Sequence, residues 1–210
     1  MALGPAAKRP PHIWLEPVLS IRLTFTLSLA LSGTLLLAAC DRGQDEPAQE
    51  QGALEEGKGS FAGEVDRSRA GELLPAIALN GTDGSQLNSA ALQGTPILIN
   101  LWATWCAPCI KEMPMLDDVA GEYGDSLRVI MISQDMQGAK VVTPFFEEQQ
   151  FAHLQPWLDP SSEAMDALST NVLPTTVMYD ETGQEVWRVV GDYDWSSAEA
   201  RGLIDEAMGE

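Results

Sequence analysis

The segment Pro96-Ile97-Leu98-Ile99-Asn100-Leu101-Trp102 constrains the fold of this chain more than any other. It is apolar almost throughout, with no alternation of apolar and polar positions. Such a run suits a strand buried on both faces, as in the parallel part of an α/β sheet. It leads directly into Cys106-Ala107-Pro108-Cys109. Helical spacing follows, with Met113, Leu116, Val119 and Ala120 on one face. A buried strand, a short loop and a helix opening on two cysteines is a β-α start that needs a sheet and a covering layer.

The rest of the chain fits that start. Leu74–Leu79 and Gln86-Leu87 flank the turn-forming stretch Asn80-Gly81-Thr82-Asp83-Gly84, which predicts a hairpin. Leu127–Ile132 predicts a second buried strand. Lys140–Phe151 and Ser161–Leu168 predict helices, the latter capped by Ser161 or Ser162. Thr175–Tyr179 and Glu185–Val190 predict two strands joined at Glu181-Thr182-Gly183. Ser196–Met208 predicts a closing helix capped by Ser196 or Ser197. The order predicts one α/β domain over residues 72–210, a central mixed sheet with helices on both faces.

The spacing Cys-x-x-Cys at a helix start carries redox chemistry for separable reasons. Two intervening residues bring the sulfurs within bonding reach. The helix N-terminus offers unpaired N–H groups and partial positive charge, both of which favour the thiolate that attacks. Cys106, at the very end, is expected to be exposed and to act as the nucleophile. Cys109, one turn in, is expected to be buried and to resolve. Pro108 is tolerated because a first-turn N–H has no helical partner. A purely structural disulfide remains an alternative; its short loop would stabilise little. A zinc site needs four ligands, and the sequence has no second cysteine pair and only His12 and His153 besides. No metal or other cofactor is expected.

The acidic balance, with 31 Asp and Glu against 12 Lys and Arg, argues against nucleic acid as a partner. At the N-terminus, Lys8, Arg9 and Arg22 precede an uncharged run from Leu23 to Ala39, the layout of an export signal. Residues 41–70 are rich in Gln, Glu, Gly and Asp and poor in apolar side chains, which predicts a flexible acidic linker over 40–71.

Two resemblances follow from quoted residues. Leu37-Ala38-Ala39-Cys40 resembles a bacterial lipobox. It implies a lipoprotein signal peptide over 1–39, lipidation of Cys40 and attachment to the membrane through several acyl chains; an uncleaved signal anchor is the alternative. Asp41 resembles an inner-membrane retention residue. The stretch Leu101-Trp102-Ala103-Thr104-Trp105-Cys106-Ala107-Pro108-Cys109, with Lys111-Glu112-Met113-Pro114, resembles the thioredoxin superfamily. It is most similar to the membrane-tethered TlpA/ResA/DsbE-like branch. The likeness implies a thioredoxin-like fold with an N-terminal β-hairpin extension and a helical central insertion.

The same likeness implies site residues. Val172-Leu173-Pro174-Thr175-Thr176 resembles the loop whose cis-proline faces the redox pair, which puts Leu173 and Pro174 on the substrate surface with Trp105, Ala107 and Pro108. Glu112, one turn beyond Cys109, matches an acidic residue that tunes the cysteines; an ordinary surface Glu is the alternative. Asn100 stands where thioredoxin has a buried acid. Trp102 is expected in the core, with no role for Trp157, Trp187, Trp195 or His153.

The branch further implies an extracytoplasmic protein-disulfide reductase facing the periplasm. Its partners would be a protein disulfide such as apocytochrome c and a membrane thiol carrier of the DsbD/CcdA kind. An Ala-Pro pair supplies no thiolate donor, unlike the His of DsbA-type oxidants, and so favours a reducing couple. The alternatives are a disulfide-forming oxidase and a metallochaperone of the Sco kind, whose cysteines stand one residue further apart. A peroxiredoxin-type peroxidase needs a Pro-x-x-x-Thr before its cysteine, which this chain lacks.

Overall fold

A computed structural model of the chain describes residues 61–209. The expected signal over 1–39, the lipidation site Cys40 and most of the expected linker lie outside the described residues.

The strands are β1 (Glu64–Asp66), β2 (Ala78–Gly81), β3 (Gln86–Asn88), β4 (Ile97–Trp102), β5 (Arg128–Ser133), β6 (Pro156–Leu158), β7 (Thr175–Tyr179) and β8 (Glu185–Val190). The helices are α1 (Ala107–Tyr123), α2 (Ala139–Gln149), α3 (Glu163–Ala167) and α4 (Ala198–Met208). The strands form one mixed sheet in the order β1-β8-β7-β4-β5-β6-β2-β3. β4 runs parallel to β5 and antiparallel to β7.

Every residue of β4 is buried, as an unbroken apolar run demands. Its alternate side chains serve two cores. Leu98 and Trp102 join Met113, Leu116 and Val119 of α1, Val142 of α2, and Ala200 and Ile204 of α4. Ile97, Ile99 and Leu101 join Ile77, Leu79, Leu92, Ala164 and Leu168. Helices therefore cover both faces, α1, α2 and α4 on one and α3 on the other. Truncating a fully buried member such as Leu116 to Ala would cost about 2–5 kcal/mol.

Four local features depart from expectation. First, the folded domain begins before residue 72. β1 lies in the expected linker and pairs antiparallel with β8, Val65 opposite Val189. The approach is close: a Cβ on Gly63 would stand 2.7 Å from the carbonyl oxygen of Asp192, so only glycine fits there. A three-residue strand in a polar stretch leaves no periodic signal. Second, the central insertion carries a strand as well as helices. β6 is parallel to β5 and bonds to the hairpin strand β2, which is how the hairpin extends the sheet.

Third, neither Ser161 nor Ser162 caps α3. Ser162 is left-handed, with φ 60° and no side-chain cap bond. The carboxylate of Asp159 accepts instead from the N–H groups of Glu163 (3.0 Å) and Ala164 (2.8 Å). At α4 the expected cap holds, with Ser197 Oγ accepting from Ala200 N–H at 3.0 Å. Fourth, Cys106 itself is the N-cap residue of α1, and the helix starts at Ala107.

Candidate active site

The end of β4 delivers Ala103–Cys106 as a tight turn, closed by Cys106 N–H donating to the Ala103 carbonyl at 3.1 Å. α1 starts at once. Cys106 and Cys109 are joined in a disulfide, their Cα atoms 5.3 Å apart. Cys109 N–H points at Cys106 Sγ, 3.4 Å away. On reduction that sulfur stays at the positive end of a seventeen-residue helix, where a thiolate is favoured.

Cys109 is fully buried, as expected. Cys106 is only 5% exposed, not open. Bonded to Cys109, its sulfur folds back over the first turn of the helix. It still lines a cleft of about 870 Å³ where Cys109 does not. Trp105, Ala107, Pro108 and Leu173 line the same cleft, together with Met136 and Met165. Trp105 is 69% exposed and Met136 83%, so neither is core packing.

The Leu173–Pro174 peptide bond is cis. Pro174 is buried behind Leu173 rather than lining the cleft, and its carbonyl accepts from Gly191 N–H at 3.0 Å.

Glu112 is not a surface residue. Its side chain has no exposure, and three donors converge on it. Asn100 Nδ2–H donates to one carboxylate oxygen at 2.7 Å. Trp195 Nε1–H (3.2 Å) and the Tyr193 backbone N–H (3.3 Å) donate to the other. Burial pushes the Glu112 carboxyl up to about 7, against those three bonds, and the nearby Asp192 adds to the rise. Both protonation states are therefore accessible near neutral pH.

Asn100 also donates to Thr176 Oγ1 at 2.9 Å, so it ties the acid to the strand that follows the cis-proline. Its presence in place of a buried acid thus supports Glu112 from below.

Sequence reasoning missed Trp195 and Tyr193. They sit in the loop between β8 and α4, and nothing local marks them as partners of a residue on α1. It also missed Asp135, buried after β5, whose carboxylate accepts from Thr104 in the turn before Cys106. His153 is exposed and lies over Gly121. No cluster of His, Cys, Asp or Glu among the described residues is arranged to hold a metal ion.

A redox cysteine pair at the start of α1, a cis-proline loop behind its cleft and this sheet order define a thiol-disulfide oxidoreductase of thioredoxin-like fold. Residues 69–204 match the Redoxin family, and the chain belongs to it, within the TlpA/ResA/DsbE-like part of the thioredoxin superfamily.

Known proteins agree with this placement. The chain is similar to thiol-disulfide oxidoreductase ResA of Bacillus subtilis, 29% identical over 133 residues that cover 62% of this chain and 72% of that one. ResA of Bacillus cereus is 24% identical over 132 residues, covering 63% and 76%. Among solved structures, the fold resembles a DsbF homologue of Corynebacterium diphtheriae, with TM-score 0.60 and 19% identity over 71% of this chain and 96% of that one. It also resembles a thiol:disulfide interchange protein of Chlorobium tepidum, with TM-score 0.57 and 20% identity over 65% and 96%.

Proposed function

We propose that this oxidoreductase works as a reductase of protein disulfides outside the cytoplasm, held at the membrane through a lipidated Cys40. Its substrates would include the cysteine pair of an apocytochrome c, and a membrane thiol carrier of the DsbD/CcdA kind would re-reduce it. The redox pair needs no cofactor. In each cycle the Cys106 thiolate attacks one substrate sulfur and displaces the other as a thiolate, which takes a proton from solvent. Cys109 then gives its proton to the Glu112 carboxylate and attacks Cys106 Sγ. The second substrate sulfur leaves and takes up the proton that Glu112 received, which restores the carboxylate. The substrate has gained two electrons and two protons, and Cys106 and Cys109 are again joined.

One observation carries the reducing direction: the fully buried Glu112, one turn beyond Cys109. A carboxylate there opposes a second negative charge on the cysteines, and an unfavoured thiolate makes a more reducing couple. Between the cysteines, Ala107 and Pro108 offer no side-chain donor to offset it.

The test is the reduction potential of the pair in the full-length chain, in glutathione and dithiothreitol buffers. A value near that of thioredoxin, about −270 mV, is expected. A value near about −120 mV would make the protein an oxidant and remove the reductase assignment.

A further inference from the structure

Asp135 is buried in the loop after β5, at 4% exposure, beside the cleft that holds Cys106. Its Oδ1 accepts from the Thr104 hydroxyl at 2.7 Å. Its Oδ2 accepts from Thr104 N–H at 2.9 Å and from the Ser133 hydroxyl at 2.9 Å. Thr104 sits inside the Ala103–Cys106 turn, so both its donors are spent on one side chain from another strand end. The backbone N–H of Asp135 donates back to Ser133 Oγ at 3.1 Å, which fixes the carboxylate in turn. Both oxygens of the carboxylate are thus engaged by hydrogen bonds. Among the described residues no salt bridge reaches it.

We propose that Asp135 is a positioning residue for Cys106: through Thr104 it fixes the turn that presents the attacking sulfur, and its uncompensated buried charge opposes the Cys106 thiolate. The turn is short and exposed at Trp105, with one internal backbone bond. Without the carboxylate, the nucleophile would be carried by a loop free to shift, and small misplacements of reacting atoms are costly to rate. A negative charge in the cleft that Cys106 lines disfavours its thiolate and so disfavours the reduced state. The inference rests on Cys106 being the attacking thiol.

Two variants of the full-length chain separate the effects. Asp135→Asn removes the charge. Its equilibrium with glutathione should move about tenfold toward the dithiol, which for two electrons is about 30 mV toward a more oxidising couple. Thr104→Val keeps the charge but removes the hydroxyl donor. It should leave that equilibrium within about twofold of the parent while slowing reduction of insulin about fivefold.

An Asp135→Asn equilibrium equal to the parent's, or a Thr104→Val rate within twofold of it, overturns the proposal. If Asp135→Asn does not fold, the Thr104→Val rate decides alone. Absence of exchange in the parent chain would instead strike at the enzyme assignment itself, so the two failures are distinguishable.

Discussion

The inner and outer sides of the Cys106–Cys109 pair are built from different materials. Inward lies a closed polar network: Glu112, Asn100, Thr176, Trp195 and the Tyr193 backbone, sealed from water. Outward lies an open, largely apolar cleft with Trp105 and Met136 standing in solvent. The inner side holds one group that titrates near neutrality and fixes it from three directions. The outer side is arranged for receiving a protein, since exposed aromatic and methionine side chains are adaptable contact surface. The two sides meet only at one disulfide and can be broken separately.

The largest effect comes from breaking the pair that both sides share. Cys106→Ser should abolish exchange with any disulfide, by roughly a thousandfold or more, in an insulin reduction assay. Cys109→Ser should instead leave Cys106 covalently attached to substrate, visible as an adduct on a non-reducing gel. An adduct on Cys109 in place of Cys106 would reverse their roles.

Next comes the inner side alone. Glu112→Gln should slow turnover about a hundredfold while leaving the first attack by Cys106 intact. A rate unchanged across pH would take Glu112 out of the chemistry. The same carboxyl makes a stability prediction. Folded, it binds its proton up to about pH 7, against an ordinary value of 4.5, so between those values the folded chain holds the extra proton. The contribution of Glu112 to stability is full below about pH 4.5 and is lost as pH rises through about 7, by about 3 kcal/mol in all. Asp66, Glu72 and Asp83 are shifted down, so their titration falls outside this window. Urea unfolding at pH 5 and pH 8 should show the fall in the parent and a flatter profile in Glu112→Gln.

The smallest effect belongs to the outer side. Trp105→Ala or Met136→Ser should raise KM for a protein disulfide about five- to tenfold, with a lesser effect on a small aromatic disulfide. Equal losses on both substrates would mean that the cleft orients the reacting sulfur rather than binding the partner.

Much of the fold was legible because its signals are local. The apolar run of β4, the cysteine spacing and the Val172–Thr176 loop each fit within a few residues. What stayed illegible was long-range or short. Trp195 meets Glu112 from 83 positions away. Asp135 meets Thr104 from 31 positions away. β1 and β6 have three residues each, too few for a period to show. The exposure of Cys106 was misjudged because the closed disulfide tucks its sulfur against the helix end. The surface position allowed for Glu112 failed because its polar partners come from another strand and another loop.

β1 has one further consequence. A sheet border with free N–H and C=O groups is a template on which other chains can pair, and short covering strands are one way proteins blunt it. Here Glu64–Asp66 occupy the outer side of β8. The start of the domain is pinned there by Ala62 N–H on Asp192 Oδ1 at 3.1 Å, and by Lys111, which pairs with Asp192 at 3.2 Å and lies over the Phe61 ring. A chain trimmed to begin at residue 72 would keep Cys106 and Cys109, its cleft and its acid. It would also lay bare the hydrogen-bonding groups of β8, and copies of it would meet along that border and self-associate.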